Sequence, residues 1–281
     1  RGTLYIDAES KALIRTEYEP LLDGQNFWQK VKWTEEYKAG EQHKGFGRNG
    51  HGSMRWYYNG EMTIDQIRDF QRDRPNPGNA PAMRAIPFGL LPADKIEAYA
   101  VLNAYATHPN EIASLSSLTI ARAAEFILVK QGKQSEVINY CLNTINLNTE
   151  YAAYFSAINT IAETDIFTEE NLALICGKQP IEPPYFLPGI KGLPSDSKLT
   201  AGAVLVILKY AKSPFDALKK SILLGGDVDS VASITTGIMA GKYGLADLPD
   251  FMLENVEGTT YLREIAQAFS VFLKKKKSLS D

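Results

Sequence analysis

The chain has 281 residues, of which 44% are hydrophobic and 22% are charged, an ordinary profile for a globular protein. The formal net charge of −3 argues against a nucleic-acid partner, because nucleic-acid binding favours a basic surface. The longest apolar runs, such as 203–208, are too short to cross a bilayer, and no signal peptide is visible. We therefore expect a cytoplasmic protein that is a monomer and has no membrane partner.

Apolar residues recur at helical spacing through most of the chain. Thr63 and Gln66 form a capping box that predicts one helix start, and Ser213 followed by Pro214 predicts another. The predicted helices cover residues 24–38, 64–73, 93–106, 110–131, 136–146, 150–163, 168–176, 213–224, 229–244 and 259–273.

No stretch shows sustained alternation of β-branched and polar residues, and no hairpin signal is visible. The sequence therefore predicts an all-α chain of about nine to eleven helices. Two long segments rich in proline and glycine, 72–84 and 178–196, interrupt the helices and are predicted to be surface connections or the rim of a site. Because apolar helices flank both segments, we predict a single domain over residues 1–281.

The stretch 223–233, LLGGDVDSVAS, places two carboxylates between apolar helices. Side chains two apart in one helix point roughly 200° apart, so Asp227 and Asp229 cannot converge within a helix. They can converge across a loop-to-helix junction, which Gly225–Gly226 provides by relaxing the restriction on φ. Ser230 then falls in the first turn of the next helix, and three oxygen-bearing side chains gather in one place.

Two carboxylates that converge repel each other by roughly 5 kcal/mol at a separation of about 3 Å and an effective dielectric near 20. Either one of them is protonated or a cation lies between them, and an all-oxygen ligand set suits Mg²⁺, Mn²⁺ or Ca²⁺ rather than Zn²⁺. The alternative is structural, with Asp229 as a plain N-cap and Asp227 as a solvated turn residue. The spacing alone does not decide between them.

Four segments carry distinctive combinations of small, polar and aromatic residues. Residues 213–249 join a helix, the motif GGDVDS and a helix of small residues that ends before Leu-Pro. Upstream lie GNAPAMRAIPFGL at 78–90, THPN at 107–110 and GFG at 45–47. In content and in order, these segments resemble the motifs of the ADP-ribosylglycohydrolase family.

The resemblance implies a compact, orthogonal multi-helix bundle that holds two Mg²⁺ ions in a cleft, with Mn²⁺ as the alternative metal. It implies Asp227, Asp229 and Ser230 as the C-terminal half of the metal site. The two aspartates would also be catalytic, as metal ligands or proton acceptors.

The resemblance also implies ligand-binding residues. Gly78 and Asn79 would lie near the pyrophosphate or the distal ribose, Gly45 and Gly47 would let the backbone approach the ligand, and His108 would lie near the phosphates. Turn geometry explains Gly78–Asn79 equally well, and a histidine before a proline often only caps carbonyls.

The N-terminal half of the implied metal site departs from the family pattern. The family carries Thr-Asp-Asp-Thr at a helix start, and the nearest candidate is YIDAES at 5–10. Asp7 is the candidate for the first aspartate, as a metal ligand and catalytic residue. However, Ala8 stands where a second aspartate belongs and Glu9 where a hydroxyl belongs. We also expect the first family helix to be missing.

The resemblance implies a metal-dependent hydrolase that cleaves the N- or O-glycosidic bond between ADP-ribose and a modified protein side chain or small acceptor. The incomplete N-terminal motif supports an alternative, a catalytically degenerate member that binds ADP-ribose or a related nucleotide as a sensor, scaffold or structural protein. The all-α HD phosphohydrolases are set aside because none of His43, His51 and His108 is followed by an aspartate.

Overall fold

The computed structural model describes the backbone of residues 2–6, 13–18, 33–36 and 275–277 and, with their side chains, residues 56–57, 59–72, 77–177, 192–254 and 258–274. The chain divides into two compact units, Arg1–Gln71 and Arg72–Asp281. The single-domain organisation over residues 1–281 stays a prediction.

The N-terminal unit contains a three-stranded antiparallel sheet in the order β1-β2-β3. Its strands are β1 (Gly2–Ile6), β2 (Leu13–Tyr18) and β3 (Trp33–Glu36). Gly2 pairs with Tyr18, and the register of this pair shifts between Tyr5 and Ile6. On the other side of β2, Tyr18 pairs with Trp33.

This sheet corrects two predictions made from the sequence. The helix predicted over 24–38 is wrong at 33–36, and the chain does contain a hairpin. In β2, with the sequence LIRTEY, isoleucine, threonine and tyrosine alternate with arginine and glutamate, which is a strand pattern. The tryptophan and threonine of β3 also favour a pleated backbone. Cross-strand pairing therefore outweighs the short helical spacing.

The predicted capping box is confirmed at the start of α1 (Ile64–Arg72). The Thr63 N–H donates to Gln66 Oε1 at 2.9 Å, and the Gln66 N–H donates to Thr63 Oγ1 at 3.3 Å. These reciprocal bonds satisfy two backbone donors that the first helical turn leaves without partners.

Among its described residues, the second unit has helices joined by loops, with one isolated β-bridge between Leu193 and Gly226, which confirms the all-α prediction for this unit. Its α-helices are α2 (Ala80–Met83), α3 (Ala93–Tyr105), α4 (Glu111–Ala124), α5 (Val137–Thr144), α6 (Thr149–Asn159), α7 (Glu169–Cys176), α8 (Ser197–Tyr210), α9 (Pro214–Leu223), α10 (Val228–Tyr243), α11 (Asp250–Glu254) and α12 (Thr259–Lys277). A π-helical turn, Glu125–Val129, extends α4, and short 3₁₀ turns cover Ile86–Leu90, Gln134–Glu136 and Glu163–Asp165.

Helices α4 and α8 form the centre of the second unit. Residues 113–121 of α4 and 200–208 of α8 are all buried, so these helices are covered on every side. Helix α4 packs against α2, α3, α5 and α8, and α8 packs in turn against α10. The polar side chains within these two helices, among them Thr200, are therefore packed inside the protein.

Glu111–Val129 is one continuous helical stretch with the length and hydropathy of a membrane span. However, 72% of that span is buried within the fold, as in the core helix of a globular domain. Arg122 and Glu125 also form a buried ion pair at 2.7 Å within it. We therefore interpret this stretch as the core of the helical unit.

The N-terminal ends of α2, α8 and α10 meet where the sequence predicts the site. Helix α10 packs against α2 and α8, and α2 also packs against α8. Asp196 caps α8, since its Oδ1 accepts from the Leu199 N–H at 2.9 Å. Ser213 caps α9 by accepting from the Asp216 N–H at 3.1 Å, as predicted. Helix α9 leads through two glycines into α10.

Candidate active site

Gly225 and Gly226 form the junction between α9 and α10. Their φ angles are +71° and +75°, in the left-handed region that residues with a Cβ rarely adopt. The prediction that these glycines permit a sharp junction is thus confirmed. Leu193, from the segment before α8, donates its N–H to Gly225 O at 3.0 Å and accepts from the Asp227 N–H at 2.8 Å. Main-chain bonds therefore fix the backbone of Asp227.

Asp227 occupies the N-cap position of α10, but its side chain makes no capping hydrogen bond. The half-buried carboxylate instead accepts from Asn79 Nδ2, which lies 2.6 Å from Asp227 Oδ2. The alternative with Asp229 as N-cap and Asp227 as a solvated turn residue is therefore wrong. Asp229 lies in the first turn of α10 and is exposed.

The surroundings of Asp227 raise the pKa of its carboxyl group above the ordinary value. Burial is the largest cause, and the neighbouring Asp229 carboxylate also raises the pKa. Hydrogen bonds from Asn79 and Ser230 act in the opposite direction, because they favour the ionised form. The junction thus holds a carboxylate whose charge is only partly compensated by the protein.

Ser230 is 3% exposed and lies in the first turn of α10. Its hydroxyl faces α2, where Oγ lies 3.5 Å from Met83 Sδ. The hydrogen bond to Asp227 that lowers the pKa of that carboxyl places Ser230 in the same cluster. The structure thus brings together Asp227, Asp229 and Ser230, the three residues that the sequence predicts for the metal.

Asn79 belongs to the same cluster and is only 4% exposed. Besides its bond to Asp227, Asn79 Nδ2 donates to Thr200 Oγ1 at 3.0 Å, and Asn79 Oδ1 accepts from Ser195 Oγ at 3.2 Å. Thr200 and Ser195 were not identified from the sequence. The signal for Thr200 is that it is a polar residue in the otherwise apolar run of α8.

Gly78 and His108 are in contact, although the sequence predicts them separately. A Cβ atom at Gly78 would lie 3.3 Å from His108 Nε2, so the ring packs beneath the glycine. The imidazole is 3% exposed, and its Nδ1 forms a 2.8 Å hydrogen bond with Thr107 Oγ1. Arg84 Nη2 donates to the same Thr107 oxygen at 2.9 Å. These contacts run from the exposed Arg84 through Thr107 to the buried imidazole that packs against Gly78.

The remaining predicted residues, Asp7, Gly45 and Gly47, lie outside the described part of the chain. In the family the corresponding motif lies at a helix start, and in this chain the described backbone that precedes Asp7 belongs to β1. The structure therefore neither joins these residues to the Asp227 cluster nor separates them from it.

The oxygen donors at the junction match the preference of a hard divalent cation in their chemistry. Asp227 and Asp229 supply carboxylates and Ser230 supplies a hydroxyl. Over the residues that the structure describes, no group of three or more His, Cys, Asp and Glu side chains gathers to hold a metal ion. These donors therefore fit one half of a metal site.

A family model described as ADP-ribosylglycohydrolase matches residues 8–278, nearly the whole chain. The chain belongs to the ADP-ribosylglycohydrolase family. No curated protein matches it.

Membership in the ADP-ribosylglycohydrolase family confirms the resemblance that the four sequence segments indicated. It identifies the chain as one of a family of glycohydrolase-type enzymes with an all-α fold that act on ADP-ribosylated substrates in general. The matched region contains all the described residues of the Asp227 cluster and the His108 contacts. It begins at Ala8, one residue after Asp7.

Proposed function

We propose that this ADP-ribosylglycohydrolase family member is a metal-dependent hydrolase that releases ADP-ribose from a modified protein side chain or a small acceptor. The Asp227 carboxylate carries the proposal. It sits at a helix N-cap without capping the helix, and it is held by Asn79 beside a second carboxylate and a hydroxyl. A purely structural aspartate at this position would accept from its own helix.

The residues proposed to hold Mg²⁺, or Mn²⁺ in its place, are Asp227, Asp229 and Ser230, with Asp7 as a further ligand proposed from the sequence. When bound, the metal supplies Lewis-acid polarisation and lowers the pKa of coordinated water.

Hydrolysis breaks the bond between C1″ of the distal ribose and the nitrogen or oxygen of the acceptor, and forms a bond from C1″ to the oxygen of water. The water loses one proton and the leaving atom gains one. Asp227 or Asp229 would hold the metal or accept the first of these protons, as the family resemblance implies. The pyrophosphate or the distal ribose of ADP-ribose would lie beside the Gly78 loop, as the family resemblance implies.

The first experiment measures the release of free ADP-ribose from ADP-ribosylated arginine and ADP-ribosylated serine substrates, with Mg²⁺ and with EDTA. The double variant Asp227→Ala/Asp229→Ala runs in parallel. The matched control is Asp94→Ala/Glu97→Ala, which removes two exposed carboxylates from α3. We expect release only with Mg²⁺, its loss in the first double variant, and wild-type rates in the control.

Activity that survives both EDTA and the loss of Asp227 and Asp229 would overturn the metal-dependent mechanism at this site. The ratio of rates on the two substrates would identify the linkage that the enzyme prefers.

A second candidate function is the binding of ADP-ribose or a related nucleotide without hydrolysis. Two observations favour binding without hydrolysis. Asp227, Asp229 and Ser230 supply only one half of a metal site among the described residues, and Ala8 stands where the family carries a second aspartate. In this case neither substrate releases ADP-ribose, yet calorimetry detects ADP-ribose binding. Binding without release would therefore replace the hydrolase proposal by this one.

A further inference from the structure

The side chain of Asn79 has every polar group engaged within the protein. One amide nitrogen, Nδ2, contacts two acceptors, Thr200 Oγ1 at 3.0 Å and Asp227 Oδ2 at 2.6 Å. An amide nitrogen carries two protons, so both are used. The amide oxygen accepts from Ser195 Oγ at 3.2 Å. Because the residue is only 4% exposed, it has no N–H left to offer a phosphate or a ribose hydroxyl.

The chemistry of these partners allows one orientation of the amide. Turning the side-chain amide over would place Oδ1 against the Asp227 carboxylate, where two acceptors repel each other. It would also leave two buried N–H groups facing the Ser195 side of the cluster. Asn79 is therefore held in one orientation by three hydrogen-bond partners. Ser195 and Thr200 lie around the start of α8, and Asp227 lies before α10.

Because the Asn79 side chain is fixed by these hydrogen bonds, its bond to Asp227 determines the orientation of the Asp227 carboxylate. The carboxylate makes no capping bond to α10, so its own helix does not orient it. Among the described contacts, Asn79 Nδ2 donates a hydrogen bond of 2.6 Å to Asp227 Oδ2, and this bond fixes the position of that carboxylate oxygen.

We infer that Asn79 is a positioning residue that orients the Asp227 carboxylate for a divalent cation, and not a residue that contacts the ADP-ribose ligand. This differs from the ligand-binding role that the family resemblance implies for Asn79. The metal part of the inference rests on the proposed function, whereas the contact between Asn79 and Asp227 does not.

The first test separates metal affinity from ligand affinity in the variant Asn79→Ala. Calorimetry measures the affinity of the full chain for Mn²⁺ without ligand, and for ADP-ribose in EDTA. Loss of a residue that orients a metal ligand typically weakens metal binding by about 10- to 100-fold. We expect a loss of that size for Mn²⁺ and ADP-ribose binding within about twofold of wild type, since the ligand does not touch the amide.

Asn159→Ala is the matched control. Asn159 is a half-buried asparagine, less buried than Asn79, whose side chain donates to Asn139 and accepts from Lys209. Both partners lie outside the Asp227 cluster. It should leave both affinities unchanged. Thr200→Val and Ser195→Ala each remove one anchor of Asn79 without touching Asp227. We expect each to weaken Mn²⁺ binding by less than Asn79→Ala does, which keeps the test valid if Asn79→Ala folds poorly.

The opposite pattern, weaker ADP-ribose binding with unchanged Mn²⁺ affinity, would overturn the inference and assign Asn79 to the ligand. A wild-type chain that binds no Mn²⁺ would instead contradict the metal-dependent function.

A double-mutant cycle in EDTA tests the contact in either case. Unfolding by urea is measured for Asn79→Ala, Asp227→Ala and the double variant. We expect the double variant to lose less stability than the sum of the two single losses. Strict additivity would show that Asn79 does not hold Asp227, whatever the metal result.

Discussion

The Asp227 junction and the His108 turn are two regions that the sequence predicts for one site, and the structure builds them differently. Main-chain bonds from Leu193 locate Asp227, and its carboxylate stays half-buried beside an exposed Asp229. His108 is also fixed by main-chain bonds, because its N–H donates to Ala104 O at 2.6 Å and its carbonyl accepts from the Asn110 N–H at 2.7 Å. Its imidazole, however, is almost fully buried and is hydrogen-bonded to Thr107.

This difference in burial indicates different roles: the Asp227 carboxylate is accessible to a ligand, whereas the His108 imidazole stabilises the surrounding structure. A half-buried carboxylate without its capping bond retains capacity for a cation or a proton. A buried imidazole beneath Gly78 instead shapes the loop that the ligand meets. We therefore expect changes at the junction to act mainly on activity, and changes at the turn to act mainly on stability.

The largest effect is expected from Asp227→Asn. The substitution keeps the size of the side chain and removes its charge, so metal binding and proton acceptance are both lost. We expect kcat/KM for ADP-ribose release to fall by at least about 100-fold, while the free energy of unfolding changes by less than about 1 kcal/mol. Steady-state kinetics and urea unfolding check the two values. A large loss of stability with retained activity would reverse the roles of the two regions.

His108→Ala should produce the converse pattern. Removing the ring leaves a cavity beneath Gly78 and leaves Thr107 without one of its partners. We expect the free energy of unfolding to fall by about 2–4 kcal/mol, measured by urea denaturation. His108→Asn, which retains a polar group near Thr107, should recover part of that loss. If His108→Ala abolished ADP-ribose binding at unchanged stability, the histidine would be a ligand contact after all.

Thr107→Val tests the chain of contacts that holds the turn. Valine has nearly the same shape but offers no oxygen to Arg84 or to the imidazole. We expect a loss of about 1–2 kcal/mol in the free energy of unfolding, measured thermally or in urea. An unchanged stability would show that Arg84 and His108 are held by other contacts.

The smallest effect concerns Asp196, the N-cap of α8 beside the junction. Burial raises the pKa of its carboxyl group above the ordinary value of 3.8, although the Leu199 N–H and the Lys198 charge lower it. A raised folded-state pKa means that the protonated group stabilises the fold below pH 3.8, and this contribution is lost as the pH rises through the folded-state pKa.

Asp196→Asn keeps a good N-cap and removes this titration. We therefore expect the variant to gain stability relative to wild type as the pH rises through that window, measured by urea unfolding at a series of pH values. A stability difference that does not vary with pH would show that the carboxyl group titrates equally in the folded and unfolded chains.

The helical unit could largely be predicted from the sequence, because its signals are local. The N-cap at Ser213, the periodic core helices and the Gly225–Gly226 junction each depend on a few neighbouring residues. The capping box at Thr63 in the N-terminal unit is local in the same way. The strands within 2–36 were missed because short strands are decided by pairing with distant partners, here Gly2 with Tyr18 and Tyr18 with Trp33.

The candidate site follows the same division. The aspartates and Ser230 stand together in the sequence and could be assigned from one motif. The partnership of Asn79 with Asp227 joins residues 148 positions apart, and Thr200 lies 121 positions from Asn79. A motif can assign each residue to a site, but only the packing of α2, α8 and α10 shows that Asn79 is hydrogen-bonded to Asp227 and Thr200.

The main-chain pairing of Leu193 with the glycine junction also determines which substitutions the site can accept during evolution. The bonds that place Asp227 come from the backbone at 193, so they do not themselves require a leucine. The full burial of that side chain restricts replacements to apolar residues of similar volume. Gly192 has no such freedom, because a Cβ atom there would lie 2.4 Å from Gly225 C and 2.5 Å from Gly226 N. Substitution at 193, the residue that makes the bonds, is therefore limited by side-chain volume, whereas its neighbour at 192 must stay glycine although it makes neither bond.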